Sequence, residues 1–473
     1  MHMTRKFFLT RAGALGAVAA LALTACGSQA TQNAQNGQNT QTNPSASTSS
    51  ATPAPITEGK GAASRVAITY DGGVLVYDAK DMKLLADIPK EGFLRLSDAG
   101  DNRHLVVADG NSYTFLDTGV WSVAHGDHSH YYTTAPSLSS LSLAADHTGH
   151  VIKDNGRVAA FADGTGSFAV YDPAKLTHDK RTASSLETTT VTLPKPHHGF
   201  AIPLPDNQYL VAVGDSKTRT GAAVVDAQGK TVTESPACPG VHGEAIAKDG
   251  TFTIGCTDGA LVYKDGKFTK VTNPEDPYSR SGNQAGKADS QYVLADYKTD
   301  KDAKLERPEK FSIIDTVAVT RTVYSLPSGV SYTFRSLARG PQGEALLLTT
   351  DGKLRIFDPA TGAELGSVQL MEAWTESETW QDERPALWVD GKTAYVTDPA
   401  TKKLIAVSLS NPAAPKELMS VELPKTPNEI LGVSSSNAAP VEAEAHGAEA
   451  HGSASSSASV DAHEHEAHEG HSH

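Results

Sequence analysis

The chain has 473 residues, a formal net charge of −14, 40 Gly, 25 Pro and only 3 Cys. That length holds two or three ordinary domains or one large repeat-built β domain with tails, and the Gly and Pro content favours the turn-rich option. No stretch concentrates Lys and Arg enough for a nucleic-acid footprint, and half of the net charge belongs to residues 433–473, where Glu442, Glu444, Glu449, Asp461, Glu464, Glu466 and Glu469 stand without a Lys or Arg.

The first residues read as a targeting segment. Arg5, Lys6 and Arg11 form a charged region, and Ala12 to Leu23 an apolar run too short for a stable membrane span. Leu23-Thr24-Ala25-Cys26 then looks like a bacterial lipobox. The expectation is a lipoprotein signal peptide over 1–25, cleavage before Cys26, lipidation of that thiol, and a mature protein anchored to the outer face of the cell membrane. Residues 26–61 are Gln, Asn, Thr, Ser, Ala and Pro with few large apolar side chains. They cannot bury enough surface to offset chain entropy, so they are expected to be a disordered linker.

From Arg65 the texture changes to short β-rich runs between Asp-Gly and Asn-Gly turns, as in Val66-Ala67-Ile68-Thr69-Tyr70-Asp71-Gly72-Gly73-Val74-Leu75-Val76-Tyr77-Asp78. Similar units begin near Arg65, Leu94, Gly149, His198, His242, Gly282, Phe334 and Arg384, with a period of about 45 to 50 residues. Four-stranded units at that period predict an all-β fold, a β-propeller over residues 62–432, because each blade needs neighbours to bury its faces and closure removes free edges. Eight units fit best; seven remains open because the first unit is short and the second long. A tandem immunoglobulin-like array would show linkers between domains, and none interrupts this span.

Two Cys remain in the mature body, Cys238 and Cys256. Outside the cytoplasm such a pair reads as a disulfide, the alternative being Cys238 and His242 as parts of a metal site. Residues 433–473 have no core-forming composition and are expected to be a disordered tail. Its His446, His451, His463, His465, His468, His471 and His473, interleaved with Glu, form a weak, exchangeable metal-collecting segment or a merely solvated acidic one.

Two His constellations stand out. His125-Gly126-Asp127-His128-Ser129-His130 puts three imidazoles and a carboxylate in six residues, a donor set that suits zinc or copper. His150, His198 and His242, 48 and 44 residues apart, fall at the first strand of three consecutive units. Equivalent positions of successive blades face one mouth of the channel, so the three imidazoles are expected to converge, with a fourth ligand from the His125–His130 loop, Asp127 or Glu244. Arg95, Arg335 and Arg384 occupy roughly the same position in other units, where they can satisfy channel carbonyls.

Taken together, the leader, the repeats, the His125–His130 loop, the His-Gly units at His198 and His242 and the Cys238/Cys256 pair resemble the AztD-type zinc metallochaperones. The resemblance covers residues 65–432 and is strongest over 120–260. It implies a propeller that binds Zn²⁺ and passes it to the solute-binding protein of a zinc ABC importer, and the chain is expected to be a monomer and not an enzyme. Imidazole itself accepts zinc, copper, nickel or cobalt, so zinc comes from the resemblance and not from the donor set. The chain differs from that pattern in carrying its His-rich segment at the C-terminus, with no His between Cys26 and His104. Because only neutral imidazole ligates, metal retention is expected to fall with pH. Two other classes remain: a metal-assisted propeller hydrolase such as a lactonase, for which the sequence offers no matched carboxylate pair or nucleophile elbow, and a cell-envelope interaction scaffold indifferent to chelators.

Overall fold

A computed structural model describes residues 54–437, apart from residue 274. Residues 1–25, Cys26 and the seven tail histidines lie outside the described residues. The turn chemistry sets the local structure. Between strands Thr148–Asp154 and Arg157–Ala162 the chain reverses at Asn155-Gly156, with φ of 48° and 69°, the left-handed turn whose twist matches a β-hairpin. Repeated along the chain, such reversals make eight four-stranded antiparallel sheets. Among the described residues no helix is long and apolar enough to cross a membrane.

The core lies between these sheets. Phe161, Phe168 and Val170 of the third sheet pack against Tyr209, Val211 and Ala223 of the fourth. Ile202, Leu210 and Val224 of the fourth meet Phe252, Ile254 and Leu261 of the fifth. The same pairing continues around the molecule until Tyr395 and Leu404 of the last sheet close on Val66, Ile68 and Leu75 of the first. The inner strands of each sheet thus present an apolar face to each neighbouring sheet, and burying both faces requires the closed ring of a β-propeller.

Closure corrects the sequence reading in one respect. The unit beginning near Arg65 does not supply its own first strand. That strand is Ile430–Ser434, which pairs antiparallel with Ser64–Tyr70, Val66 opposite Gly432 and Ile68 opposite Ile430. A repeat scan that moves forward along the chain cannot see this pairing, and the shortness of the first unit is its only trace. The paired segment reaches Ser434, past residue 432. At the other end, Thr57–Gly59 forms a short strand against His128–Thr133, although its composition matches the linker.

Strand direction gives the ring two distinct faces. In the third sheet Thr148 pairs with Ala162 and Asp154 with Arg157, so the first strand starts on one face and ends on the other. In the second sheet Asp117, at the end of the third strand, is level with His104 and Ser137. The insertion 118–136 therefore hangs from the face opposite the one where the first strands begin. At about 3.3 Å per residue, strands of this length separate the faces by roughly 20 Å.

Candidate metal centre

His150 lies within Thr148–Asp154, at the register break between Thr148 and Val151. His198 and His242 stand in the loops entering Ala201–Leu204 and Glu244–Ala247, not in the strands themselves as the alignment of units implied. Backbone contacts fix the second of these loops. The His242 N–H donates to the Gly255 carbonyl at 3.0 Å, and the Gly255 N–H donates to the Gly243 carbonyl at 2.9 Å. Gly243 holds a φ of 77°, and a Cβ at Gly255 would meet the His242 carbonyl at 2.5 Å, so both positions call for glycine. Cys256, next to Gly255, is disulfide-bonded to Cys238, four residues before His242. That bond removes the Cys238 thiol as a metal ligand and brackets the loop that carries His242.

The three rings converge. Their centroids are 5.3 Å apart for His150 and His198, 5.7 Å for His150 and His242, and 5.1 Å for His198 and His242. One ligand atom from each lies within 4.8 Å of the others. Hydrogen bonds select which nitrogen is available. His198 Nδ1 faces Asp163 Oδ2 at 2.6 Å, His150 Nδ1 faces Glu244 Oε1 at 3.0 Å, and His242 Nδ1 faces the Gly282 carbonyl at 2.6 Å. A carboxylate or carbonyl oxygen can only accept, so each neutral ring carries its proton on Nδ1 and keeps the Nε2 lone pair free. This is the outer-shell arrangement that orients metal-ligating imidazoles.

Electrostatics divides the three. Burial pushes His242 down to about 2, helped by the neighbouring His150, His198 and Arg219, so this ring stays neutral and ligand-ready. Burial also opposes a charge on His150, but the Glu244 carboxylate outweighs it and the net shift is upward. A proton therefore competes harder at His150 than at His242. Glu244 Oε2 is buried without a hydrogen-bond partner, the one orphaned carboxylate oxygen beside the three rings.

The second constellation is a hairpin, Val120–His125 and His128–Thr133, closed by Gly126-Asp127. His125 pairs with His128, and His130 lies two residues further along the same strand, so the period of two puts all three rings on one side. Their ligand atoms also lie within 4.8 Å of one another, while the Asp127 side chain is fully exposed in the turn. The hairpin root is fixed by Trp121 stacked on Tyr132 at 5.4 Å, with the Arg103 guanidinium 4.0 Å above the Trp121 ring.

No family model matches the chain. A curated relative, the zinc chaperone AztD of Citrobacter koseri, is 28% identical over 387 residues, covering 79% of this chain and 87% of its own. The crystal structure of Citrobacter koseri AztD and the structure of its apo form each align at 26% identity with a TM-score of 0.67, covering 79% of this chain and 98% of theirs. The chain is similar to AztD. Because nearly the whole AztD chain is matched, the resemblance to AztD extends across the ring and is not confined to the His-bearing loops.

Sequence reasoning grouped His150, His198 and His242, and the structure brings these together. It also drew the His125–His130 loop and Asp127 toward the same centre, and here the structure differs. The hairpin belongs to the insertion on the opposite face, too far away to supply the fourth ligand. Glu244 does reach the centre, turned toward His150. Asp163 and the Gly282 carbonyl were missed. Asp163 looked like the Asp of an ordinary Asp-Gly turn, and no sequence signal marks a backbone carbonyl. Neighbouring His197 is structural, its two nitrogens 2.9 Å and 3.0 Å from the carbonyls of Lys195 and Ala212. Elsewhere Arg335 Nη1 donates to the Asn428 carbonyl at 3.2 Å and its Nη2 pairs with Glu429 at 3.4 Å, Arg384 Nη2 donates to the Thr379 carbonyl at 2.9 Å, and Arg95 pairs with Glu429 at 3.0 Å.

Proposed function

We propose that the chain is an extracytoplasmic zinc metallochaperone that carries Zn²⁺ on His150, His198 and His242 and passes it to the solute-binding protein of a zinc ABC importer. The observation that carries this reading is the set of three acceptors at Nδ1, which leaves three Nε2 lone pairs free on rings whose ligand atoms lie within 4.8 Å of one another. Three imidazoles on rigid supports, with Glu244 beside them, suit a carrier, because they can be exchanged one at a time for a partner's ligands. Similarity to AztD supports zinc as the cargo and the importer's binding protein as the recipient. The Cys238–Cys256 disulfide supports an oxidising compartment. In this reading residues 1–25 are a signal peptide, Cys26 carries the lipid, residues up to the ring form the linker, and the histidines from His446 to His473 collect metal.

A metal-assisted hydrolase would use the same three-ligand geometry. Weighing against it, Asp163 and Glu244 Oε1 are each turned to an imidazole, so that beside the three rings only Glu244 Oε2 is left to activate water among the described residues. The deciding experiment is zinc titration of the full chain beside a His198→Ala plus His242→Ala variant. Loss of one tight zinc in the variant supports the carrier site, and unchanged stoichiometry and affinity would overturn it. Lactone or ester turnover by the zinc-loaded protein would move the assignment to the hydrolase.

A further inference from the structure

We propose that Arg219 and Arg280 form a carboxylate-binding clamp beside the loop that carries His242, and that a carboxylate held there tightens the grip of His150, His198 and His242 on the metal. The inference rests on the carrier reading of those three residues.

Both arginines stand on the face where the first strands begin, and both hold the same loop. Arg219 opens the strand Arg219–Val225, and its carbonyl accepts from the Gly240 N–H at 2.8 Å. Arg280 Nη1 donates to the Gly240 carbonyl at 3.3 Å. Arg280 Nε and Nη2 run alongside Gly282, 3.3 Å and 3.5 Å from where a Cβ on that residue would stand. The Gly282 carbonyl is the oxygen that accepts from His242 Nδ1. The two guanidiniums and the ligand ring are thus tied to one short stretch of backbone.

Neither cation has a counterion. Among the described residues no carboxylate forms an ion pair with Arg219 or Arg280, and the Gly240 carbonyl is the one hydrogen-bond acceptor that either guanidinium reaches. Carboxylates at the neighbouring strand ends are engaged elsewhere. Asp163 faces His198 at 2.6 Å, Asp215 lies 3.7 Å from Lys195, and Asp296 accepts from the Gly282 N–H at 2.6 Å. Both arginines are half-buried. Burial, and after it the charge of Arg280, hold the Arg219 guanidinium below its ordinary value against the smaller pull of Asp163. Zinc makes the imbalance worse, because neutral imidazoles bring no charge and the dication keeps both of its own. A planar carboxylate matches guanidinium forks with paired N–H···O bonds and neutralises the pair where the metal's field is felt. Coupling between the two ligands is reciprocal, so the carboxylate favours the loaded state and zinc favours the carboxylate. A small free carboxylate or an acidic side chain of the recipient supplies the same chemistry.

Hydrogen exchange of the full-length protein during a zinc titration reads this centre through peptides covering 195–205 and 240–246. Acetate replacing chloride at constant ionic strength should lower the zinc midpoint there by about 5-fold, the lower end of typical coupling. Arg219→Gln plus Arg280→Gln should abolish the acetate effect. In chloride the same variant should bind zinc as tightly as wild type or more tightly, because two uncompensated cations are gone. A merely structural role for the arginines predicts the reverse, weaker zinc in both media, and that result would overturn the clamp. Arg219→Lys plus Arg280→Lys keeps the charges and should retain part of the acetate effect. If wild type gives the same midpoint in acetate and chloride, the clamp is wrong and the carrier centre stands. If zinc protects neither peptide in either medium, the carrier centre itself falls. Transfer of zinc to the importer's solute-binding protein assigns the source: acetate slows it where the recipient's side chain uses the clamp, and leaves it unchanged where the free carboxylate is resident.

Discussion

The two histidine clusters each gather three imidazoles and are built in opposite ways. His150, His198 and His242 come from three sheets and are separated by 92 residues of sequence. Each is half-buried and oriented by an acceptor fixed in the ring. His125, His128 and His130 come from one hairpin on the other face, and among the described residues the side-chain hydrogen bond that reaches them from outside the hairpin is Glu58 to His130. Rigid supports preorganise a site at no cost on binding, whereas a two-stranded ribbon must be ordered by the ion it receives. The first cluster should thus bind metal tightly and release it to an incoming ligand. The second should be weaker and faster.

The largest expected effect that would sharpen this contrast comes from the disulfide. Replacing Cys238 and Cys256 by Ser frees a loop of 18 residues, a loss of about 3 kcal/mol in the chain-entropy account, visible as a lower unfolding midpoint. Zinc affinity at His150, His198 and His242 should fall as the His242 loop loosens, with the hairpin unaffected. Equal losses at both clusters would mean that the disulfide serves the ring as a whole. Next in size, Asp163→Asn should weaken zinc about 10- to 100-fold at the first cluster, because His198 loses the charge that fixes its tautomer. Calorimetric titration with competing chelator measures this, and an unchanged affinity would show that His198 needs no partner.

A pH series separates the members of the first cluster. The neutral ring is the ligand, and the His150 pKa is raised, so affinity is complete above that raised value and is lost as pH falls through it. The decline should begin above pH 6.5, the ordinary His value, and reach about tenfold per pH unit for one competing proton. His242, held near 2, adds no competing proton in that range. A decline beginning only below 6.5 would contradict the Glu244 argument, and Glu244→Gln should shift its onset downward. The smallest effect belongs to Lys180, whose Nζ lies 4.4 Å from the Tyr132 ring at the hairpin root. Lys180→Ala removes a contact worth roughly 0.5–1 kcal/mol and should lower zinc occupancy of the hairpin by a few-fold while sparing the other cluster.

The legible parts of the molecule were those set by local chemistry. Asp-Gly and Asn-Gly turns between apolar runs, repeated at one period, dictated short paired strands and hence a propeller, because a four-stranded unit cannot bury both faces alone. The same period placed His150, His198 and His242 at matching points of successive units. What the sequence could not supply was strand direction and long-range partnership. Whether the His125–His130 segment stands beside the other histidines depends on which end of the third strand it leaves, a fact visible only once Asp117 is seen level with Ser137. Likewise Ile430–Ser434 completes the first sheet from the far end of the chain, Asp163 reaches His198 from the neighbouring sheet, and Glu58 reaches His130 across a strand pairing. Each of these links residues from 35 to 370 positions apart. Closure of the ring brings them together, and no local pattern encodes that step.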